Sequence, residues 1–238
     1  AHRAIKRFRT FLKKIKTINE LEDKNNIFCL KCDIVKYFDS VDKETLMKLI
    51  KRKINDIDVL NLIMVVLDSY GPGLPIGNLT SQLFANIYLH ELDFYVKNIL
   101  KCKYYIRYMD DFVLLDVEKQ KLWNYYGLIK DFLRQELKLK IDDNKTILTP
   151  IKKGVVFLGF KIYPNKVLLR EDTVKRFRKR LHKELKERND KIVPFIALKF
   201  KNWASYYTQA DSNSFIKRFF CKAVGKYVVD IWEFANRL

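Results

Sequence analysis

Two adjacent aspartates, Asp110 and Asp111, stand in "YIRYMDDFVLL", residues 104–114, an otherwise apolar and aromatic run that reads as strand. A third, Asp33, closes "IFCLKCD", where Phe28, Leu30, Cys32 and Ile34 alternate with Ile27, Cys29, Lys31 and Asp33. The first set makes a uniformly apolar face that can pack on helices, so Asp33 points from the other side of the sheet. Consecutive residues of an extended strand diverge, but in a tight hairpin turn Asp110 and Asp111 can reach one side together. On neighbouring strands the three carboxylates would cluster, and a cluster of like charges raises its own pKa values unless a cation sits within it. Oxygen ligands alone suit Mg²⁺, which takes one or two carboxylates plus substrate phosphates. Two such ions can activate an attacking hydroxyl and stabilise the leaving oxygen of a phosphoryl transfer. Y-x-D-D by itself decides nothing, because Asp-Asp is also ordinary turn chemistry.

The elements that must hold these residues follow from the periodicities. "NIFCLKCDIVKYFDSV" predicts a buried strand and a turn, and "DKETLMKLIKRK" and "DVLNLIMVVLDSY" predict two helices. "GPGLPIGNLTSQ" is a Gly/Pro-rich loop leading into a long helix, "SQLFANIYLHELDFYVKNIL". Two strands joined at Met109-Asp110-Asp111 come next, then a helix over "KQKLWNYYGLIKDFLRQELK" and short strands around "LKID", "KTILT", "VVFLGFKIY" and "KVLLR". From Glu171 the chain reads as helix, with Val174, Phe177, Leu181 and Leu185 in an apolar stripe and Lys175, Arg178, Lys179 and Lys183 off it. This change near residue 170 predicts two domains, 1–169 and 170–238.

A chain of 238 residues can bury a sizeable core, and 48% apolar with 14% aromatic residues excludes a disordered tail. Its 47 basic against 28 acidic residues give a net charge of +19, spread along the chain. Such an excess implies an anionic partner, nucleic acid before membrane surface. Cys29 and Cys32 form a C-x-x-C, yet residues three apart on a strand point to opposite faces, so they are not expected to share a metal. With Cys102 and Cys221 isolated, the thiols are expected to be reduced, in a cytoplasmic setting. No run reaches transmembrane length and no signal peptide opens the chain. His2, His90 and His182 are scattered, and neither G-x-S-x-G nor a P-loop occurs, which argues against hydrolases of those kinds. The chain starts without Met in a basic helix, "AHRAIKRFRTFLKKIKTI", and reads as one cut inside a larger protein.

Taken in order, "CDIVKYFDSV", "GLPIGNLTSQLFANIYLHELD", "YIRYMDDFVLL", "LKIDDNKTILT" and "VFLGFKIY" resemble the palm of reverse transcriptases, at that family's spacing and over nearly the whole chain. The resemblance implies an α+β fold: a polymerase palm, with a ferredoxin-like antiparallel sheet and helices on one face, followed by an α-helical thumb. It also implies an RNA-directed DNA polymerase of bacterial or phage origin, using an RNA template, a DNA or RNA primer, deoxynucleoside triphosphates and two Mg²⁺ ions. Residue by residue it assigns the metal site to Asp33, Ile34, Asp110 and Asp111, and it sets Lys145 of "NKT" near the leaving pyrophosphate unless this is one lysine among many. Phe38, five residues after Asp33, falls beneath the sugar, where it would exclude a 2′-hydroxyl, or is a core Phe. Asp39 touches substrate or caps the next helix. Gly77 lets backbone approach the nucleotide, flanked by Ile76 and Gln82, with Ser81 as the helix N-cap. Tyr108, Met109, Leu158 and Gly159 are matched to primer and template. Lys175, Arg178 and Lys179 belong to a basic tract that can lie along a duplex, while Trp203, Tyr206 and Tyr207 read as core.

One departure narrows the resemblance. Many reverse transcriptases carry Gln before the Gly and Pro after the Ser of this loop, whereas "PIGNLTSQ" has Ile76 and Gln82 there. That form, with "NWASYYTQADS" further on, is similar to the reverse transcriptases of diversity-generating retroelements. Those imply error-prone copying at template adenines, a dedicated RNA and a small basic accessory protein. The alternatives are a retron, group II intron or defence-associated reverse transcriptase, or a non-catalytic RNA-binding palm–thumb piece. The family's fingers precede the segment that "HRAIKRFRTFLKK" resembles, so palm and thumb alone are expected to be weakly active or inactive. Arg3, Lys6, Arg7 and Arg9 read as a solvated basic face.

Overall fold

The computed structural model describes residues 1–20 and 26–187. Arg188, Trp203, Tyr206, Tyr207, Cys221 and most of the expected 170–238 domain lie outside the described residues, as do the side chains of Arg178, Leu181, His182, Leu185 and Lys186. The chain divides into two compact units, Arg7–Pro150 and Ala1–Lys6 with the chain from Ile151 onward.

In the first unit β1 (Phe28–Cys32), β2 (Tyr105–Tyr108), β3 (Asp111–Asp116) and β4 (Ile147–Pro150) form an antiparallel sheet in the order β2-β3-β1-β4. Leu30 pairs with Leu114 on one side and Leu148 on the other. The face bearing Leu30, Cys32, Ile34, Tyr105, Phe112 and Leu114 joins one core with α3 (Lys43–Lys51), α5 (Leu79–Phe94) and α6 (Lys119–Glu136), as the alternation predicts. The other face is closed as well. Cys29, Ile106, Val113 and Leu115 are buried there, as are Phe11, Leu12 and Ile15 of α1 (His2–Glu20). Phe11 meets Tyr104 edge-on at 5.3 Å between ring centroids. Burial pushes the Cys29 and Cys32 thiols far up, and both are free.

Local hydrogen bonds start the helices. A short α2 (Tyr37–Ser40) follows β1. The Asp42 carboxylate accepts from the Thr45 amide at the start of α3, and Asp56 does the same from Val59 at α4 (Ile57–Asp68). These carboxylates fill orphan amides of the first turn. Asp39 therefore caps nothing and lies within α2. The cap of α5 is Asn78, whose side chain accepts from the Thr80 amide at 3.2 Å, so the helix starts ahead of Ser81, which is buried inside its first turn at 1% exposure. A π-helical turn, Tyr95–Ile99, prolongs α5. "LKID" makes a single bridge between Ile141 and Ile34 in place of a strand.

In the second unit β5 (Val155–Phe157), β6 (Phe160–Ile162) and β7 (Val167–Leu169) form a three-stranded antiparallel sheet in sequence order, and α7 (Glu171–Glu187) begins just past Arg170. Each unit contains a hairpin with a two-residue turn: Tyr108 pairs with Asp111 around Met109-Asp110, and Phe157 with Phe160 around Leu158-Gly159. Among the described residues no helix is long and apolar enough to cross a membrane.

Candidate active site

Asp33 follows β1 directly, and the ladder that pairs Cys32 with Phe112 carries it alongside Asp111, the first residue of β3. The β2–β3 turn sets Asp110 next to both. The carboxylates are near enough to perturb one another. Burial raises the Asp110 pKa, and the charge of Asp33 adds to it. Burial pushes Asp111 up to about 6, with Asp33 and Asp110 adding and Lys31 opposing.

Two lysines stand among the carboxylates. Lys31, on the same strand face as Asp33, brings Nζ to 3.2 Å from Asp111 Oδ2. Lys145 Nζ lies 3.0 Å from Asp33 Oδ1 and 3.5 Å from Asp142 Oδ2, and its hydrogen bond to Asp33 holds its pKa above the ordinary lysine value. The loop carrying Lys145 is fixed from both ends. The Asp142 amide donates to the Asp33 carbonyl at 2.9 Å, and the Asn144 amide to Asp142 Oδ1 at 3.1 Å. Asp143 is held by the Tyr126 hydroxyl and by Lys130 of α6.

Asp111 Oδ1 is buried with no hydrogen-bond partner. An unpaired buried carboxylate oxygen is costly, the more so beside other carboxylates. Among the described residues no three His, Cys, Asp or Glu side chains converge to hold a metal ion by themselves. Mg²⁺ does not require such a cage, because it keeps waters and shares substrate phosphates. The donors thus fit Mg²⁺ in kind: oxygen only, one of them buried and unsatisfied, on carboxylates that a cation would relieve.

The site is thus a strand-borne aspartate set against an Asp-Asp hairpin, followed by a lysine loop. Residues 2–162 match the family described as reverse transcriptase (RNA-dependent DNA polymerase). The chain belongs to the reverse transcriptase family. Similar proteins include Protein YkfC of Escherichia coli K12, 26% identical over 55% of this chain and 45% of that protein. Another is the group II intron-encoded protein LtrA of Lactococcus lactis subsp. cremoris, 25% identical over 68% of this chain and 38% of that protein. The chain therefore spans less than half the length of these two relatives. Among solved structures, telomerase from Candida albicans in complex with a TWJ fragment of telomeric RNA is 11% identical, with a TM-score of 0.53 over 100% of this chain and 49% of that one. At that identity the likeness concerns the fold alone: mixed helix and antiparallel sheet, of the palm-like kind.

The remaining positions matched to reverse transcriptases are spread over both units. Ile34 is buried at the end of β1. Phe38 is half-buried on α2, 5.7 Å from the Tyr37 ring centroid to centroid, and its backbone is gripped from behind. The Leu74 amide donates to the Phe38 carbonyl at 2.8 Å, and a Cβ on Gly73 (φ 80°) would fall 2.3 Å from that oxygen. Ile76 is 75% exposed, Gly77 has φ 95° with open space around it, and Gln82 is exposed on α5. Tyr108 is exposed and Met109 takes φ 56°. Leu158 and Gly159 form the turn of the second unit, while Lys175 and Lys179 are exposed on α7. Sequence reasoning passed over Lys31, Gly73, Asp93, Arg107 and Asp142. Arg107 had a signal, since its register opposite Phe112 aims a charge at the helix side of the sheet, where it must find a partner.

Proposed function

We propose that this chain is the palm and thumb of an RNA-directed DNA polymerase that extends a DNA or RNA primer on an RNA template with deoxynucleoside triphosphates. The observation that carries the reading is the meeting of Asp33 with Asp110 and Asp111 at one end of the central strands β1 and β3, with the Asp111 Oδ1 oxygen buried and unpaired. Asp33, Asp110 and Asp111, with Ile34 beside them, are the residues that would hold two Mg²⁺ ions. Such ions supply the charge that activates a primer hydroxyl and stabilises the leaving oxygen. Lys31 and Lys145 hold Asp111 and Asp33 in place by ion pairs, and Lys145 is the cation set to receive the departing pyrophosphate. Phe38 closes the sugar side against a 2′-hydroxyl. Ile76, Gly77 and Gln82 line the nucleotide, and Tyr108, Met109, Leu158 and Gly159 the primer and template. In this reading residues 1–169 are the palm and 170–238 the thumb, whose Lys175, Arg178 and Lys179 neutralise duplex phosphates in a salt-dependent way. The protein works in the cytoplasm of a bacterium or phage host.

The finer part of the proposal is low fidelity, as in diversity-generating retroelements, with a small basic accessory protein as partner. Ile76 presents an exposed aliphatic side chain where many family members have an amide, so one hydrogen bond that could test pair geometry is missing. The similarity to LtrA favours a second reading, a group II intron-type enzyme. Primer extension on a defined RNA with Mg²⁺, alongside Asp110→Ala, with the products sequenced, tests both levels. Extension that the substitution abolishes supports the polymerase; RNA binding without extension favours a non-catalytic module. Errors concentrated opposite template adenine support the retroelement reading, and errors spread evenly over the four bases overturn it.

A further inference from the structure

The Met109-Asp110 turn is held from beneath by a side chain with no role in the reading above. Arg107 of β2 is 9% exposed and faces the helices. Its guanidinium grips Asp93 of α5 with two parallel bonds, Nε to Oδ1 at 2.8 Å and Nη2 to Oδ2 at 2.6 Å, the fork geometry of strong charge-assisted pairs. Asp93 Oδ1 also accepts from the Tyr105 hydroxyl at 2.9 Å. The remaining nitrogen, Nη1, donates to the Met109 carbonyl at 3.0 Å and, more weakly, to Asn86 Oδ1 at 3.4 Å. Asn86 in turn donates to the Gln82 carbonyl at 2.9 Å and to Met109 Sδ at 3.6 Å.

Met109 needs such a hold. Its φ of 56° is in the left-handed region, which costs a residue with a Cβ about 1–2 kcal/mol. Neither Gly nor Asn is present in the turn to favour that conformation. The Met109 carbonyl belongs to the peptide that joins Met109 to Asp110, so fixing it fixes the plane from which the following carboxylates depart.

We infer that Arg107, anchored by Asp93, is a positioning residue that locks the Met109 carbonyl and thereby sets Asp110 and Asp111 on α5, the helix that carries Gln82. This rests on the reading of those aspartates as metal-holding carboxylates. A lysine keeps the charge but is a point donor; it cannot engage both Asp93 oxygens and the Met109 carbonyl in one plane.

The test uses the full chain and Mn²⁺ as the probe, with binding followed by electron paramagnetic resonance for wild type, Arg107→Lys, Asp93→Asn and Asp110→Ala. Primer extension is measured on the same samples, and unfolding midpoints identify variants that fail to fold. Groups that orient metal ligands typically contribute about 10–100-fold in affinity or activity. Arg107→Lys and Asp93→Asn are therefore each expected to weaken Mn²⁺ binding about tenfold or more. They are also expected to lower kcat for extension with the KM for deoxynucleotide little changed, and their double variant to be hardly worse than either alone. A merely structural role would lower the fraction of binding-competent protein without moving the Mn²⁺ affinity of the rest. Wild-type Mn²⁺ affinity in a folded Arg107→Lys, with Asp110→Ala defective, overturns the inference and leaves the catalytic reading standing. Mn²⁺ binding that Asp110→Ala leaves unchanged removes the catalytic reading, and the inference with it.

Discussion

Two hairpins among the described residues turn in two residues, and they differ in what holds the turn. Around Leu158-Gly159 both φ angles are positive, 51° and 83°, the pattern of a type I′ turn, and Gly159 supplies the freedom that its second position asks for. The Gly159 carbonyl then needs only a backbone amide, from Arg170 at 3.1 Å. Around Met109-Asp110 only Met109 is left-handed, and no residue of the turn favours it. Here the conformation is imposed from outside by Arg107, Asp93 and Asn86. The Leu158-Gly159 turn is half written into residue type: Gly159 suits its position, while Leu158 carries the same left-handed cost as Met109. A turn held by distant partners can spend its own residues on carboxylates.

Substitutions in the two turns should therefore fail differently. The largest effect is expected for Asp111→Asn, which leaves the hairpin in place and removes one charge. Extension should fall about 10²–10³-fold, the scale on which losing a fixed electrostatic partner of a transition state is felt. The unfolding midpoint should stay at or above wild type, because Asn adds no charge among Asp33 and Asp110. Next is Gly73→Ala, a close approach in place of a turn. A Cβ there meets the Phe38 carbonyl at 2.3 Å and must displace the side chain proposed to read the sugar. The ratio of deoxynucleotide to ribonucleotide use should change by about 10–100-fold, the upper end being what an ångström-scale misplacement can cost. This ratio does not depend on how much protein is folded, and Phe38→Ala measured beside it separates a failed gate from a failed contact.

Gly159→Ala should act on stability in the manner of a residue-encoded turn, costing about 1–2 kcal/mol by forcing a Cβ into the left-handed region. Chemical denaturation reads this directly. Met109→Gly is expected to have the smallest effect, within about 0.5 kcal/mol, since relief of the left-handed strain is offset by the greater entropy of glycine in the unfolded chain and by lost packing of the Met109 side chain. A large gain in stability from Met109→Gly would mean that the clamp does not offset the strain of the turn.

The strands, the helix-facing side of β1 and the Asp-Asp hairpin were legible because period-two patterns and a two-residue turn are local properties. Register then follows, and register alone brings Asp33 beside Asp111. What escaped were partners distant in sequence. Lys145 is 112 residues from the aspartate it pairs with, and Asp93 lies 14 residues before the arginine it anchors. Nothing in β1 signals that the face bearing Cys29 is buried as well. The start of α5 was misread at Ser81 because Asn78, three residues earlier, offers the same capping chemistry. The part of the expected 170–238 domain from Arg188 on lies outside the described residues.

The antiparallel ladders also constrain how this gene can change. Cys32 pairs with Phe112, and Tyr108 with Asp111, so each strand reaches the aspartates with a set parity. A single inserted or deleted codon within β1 or β3 turns every following side chain to the opposite face, sending Asp33 or its neighbours into the core while leaving composition almost untouched. Substitutions in the same strands alter one contact at a time. Length variation among natural relatives should then be confined to the joints, such as the one between α3 and α4, while the strands vary only by replacement.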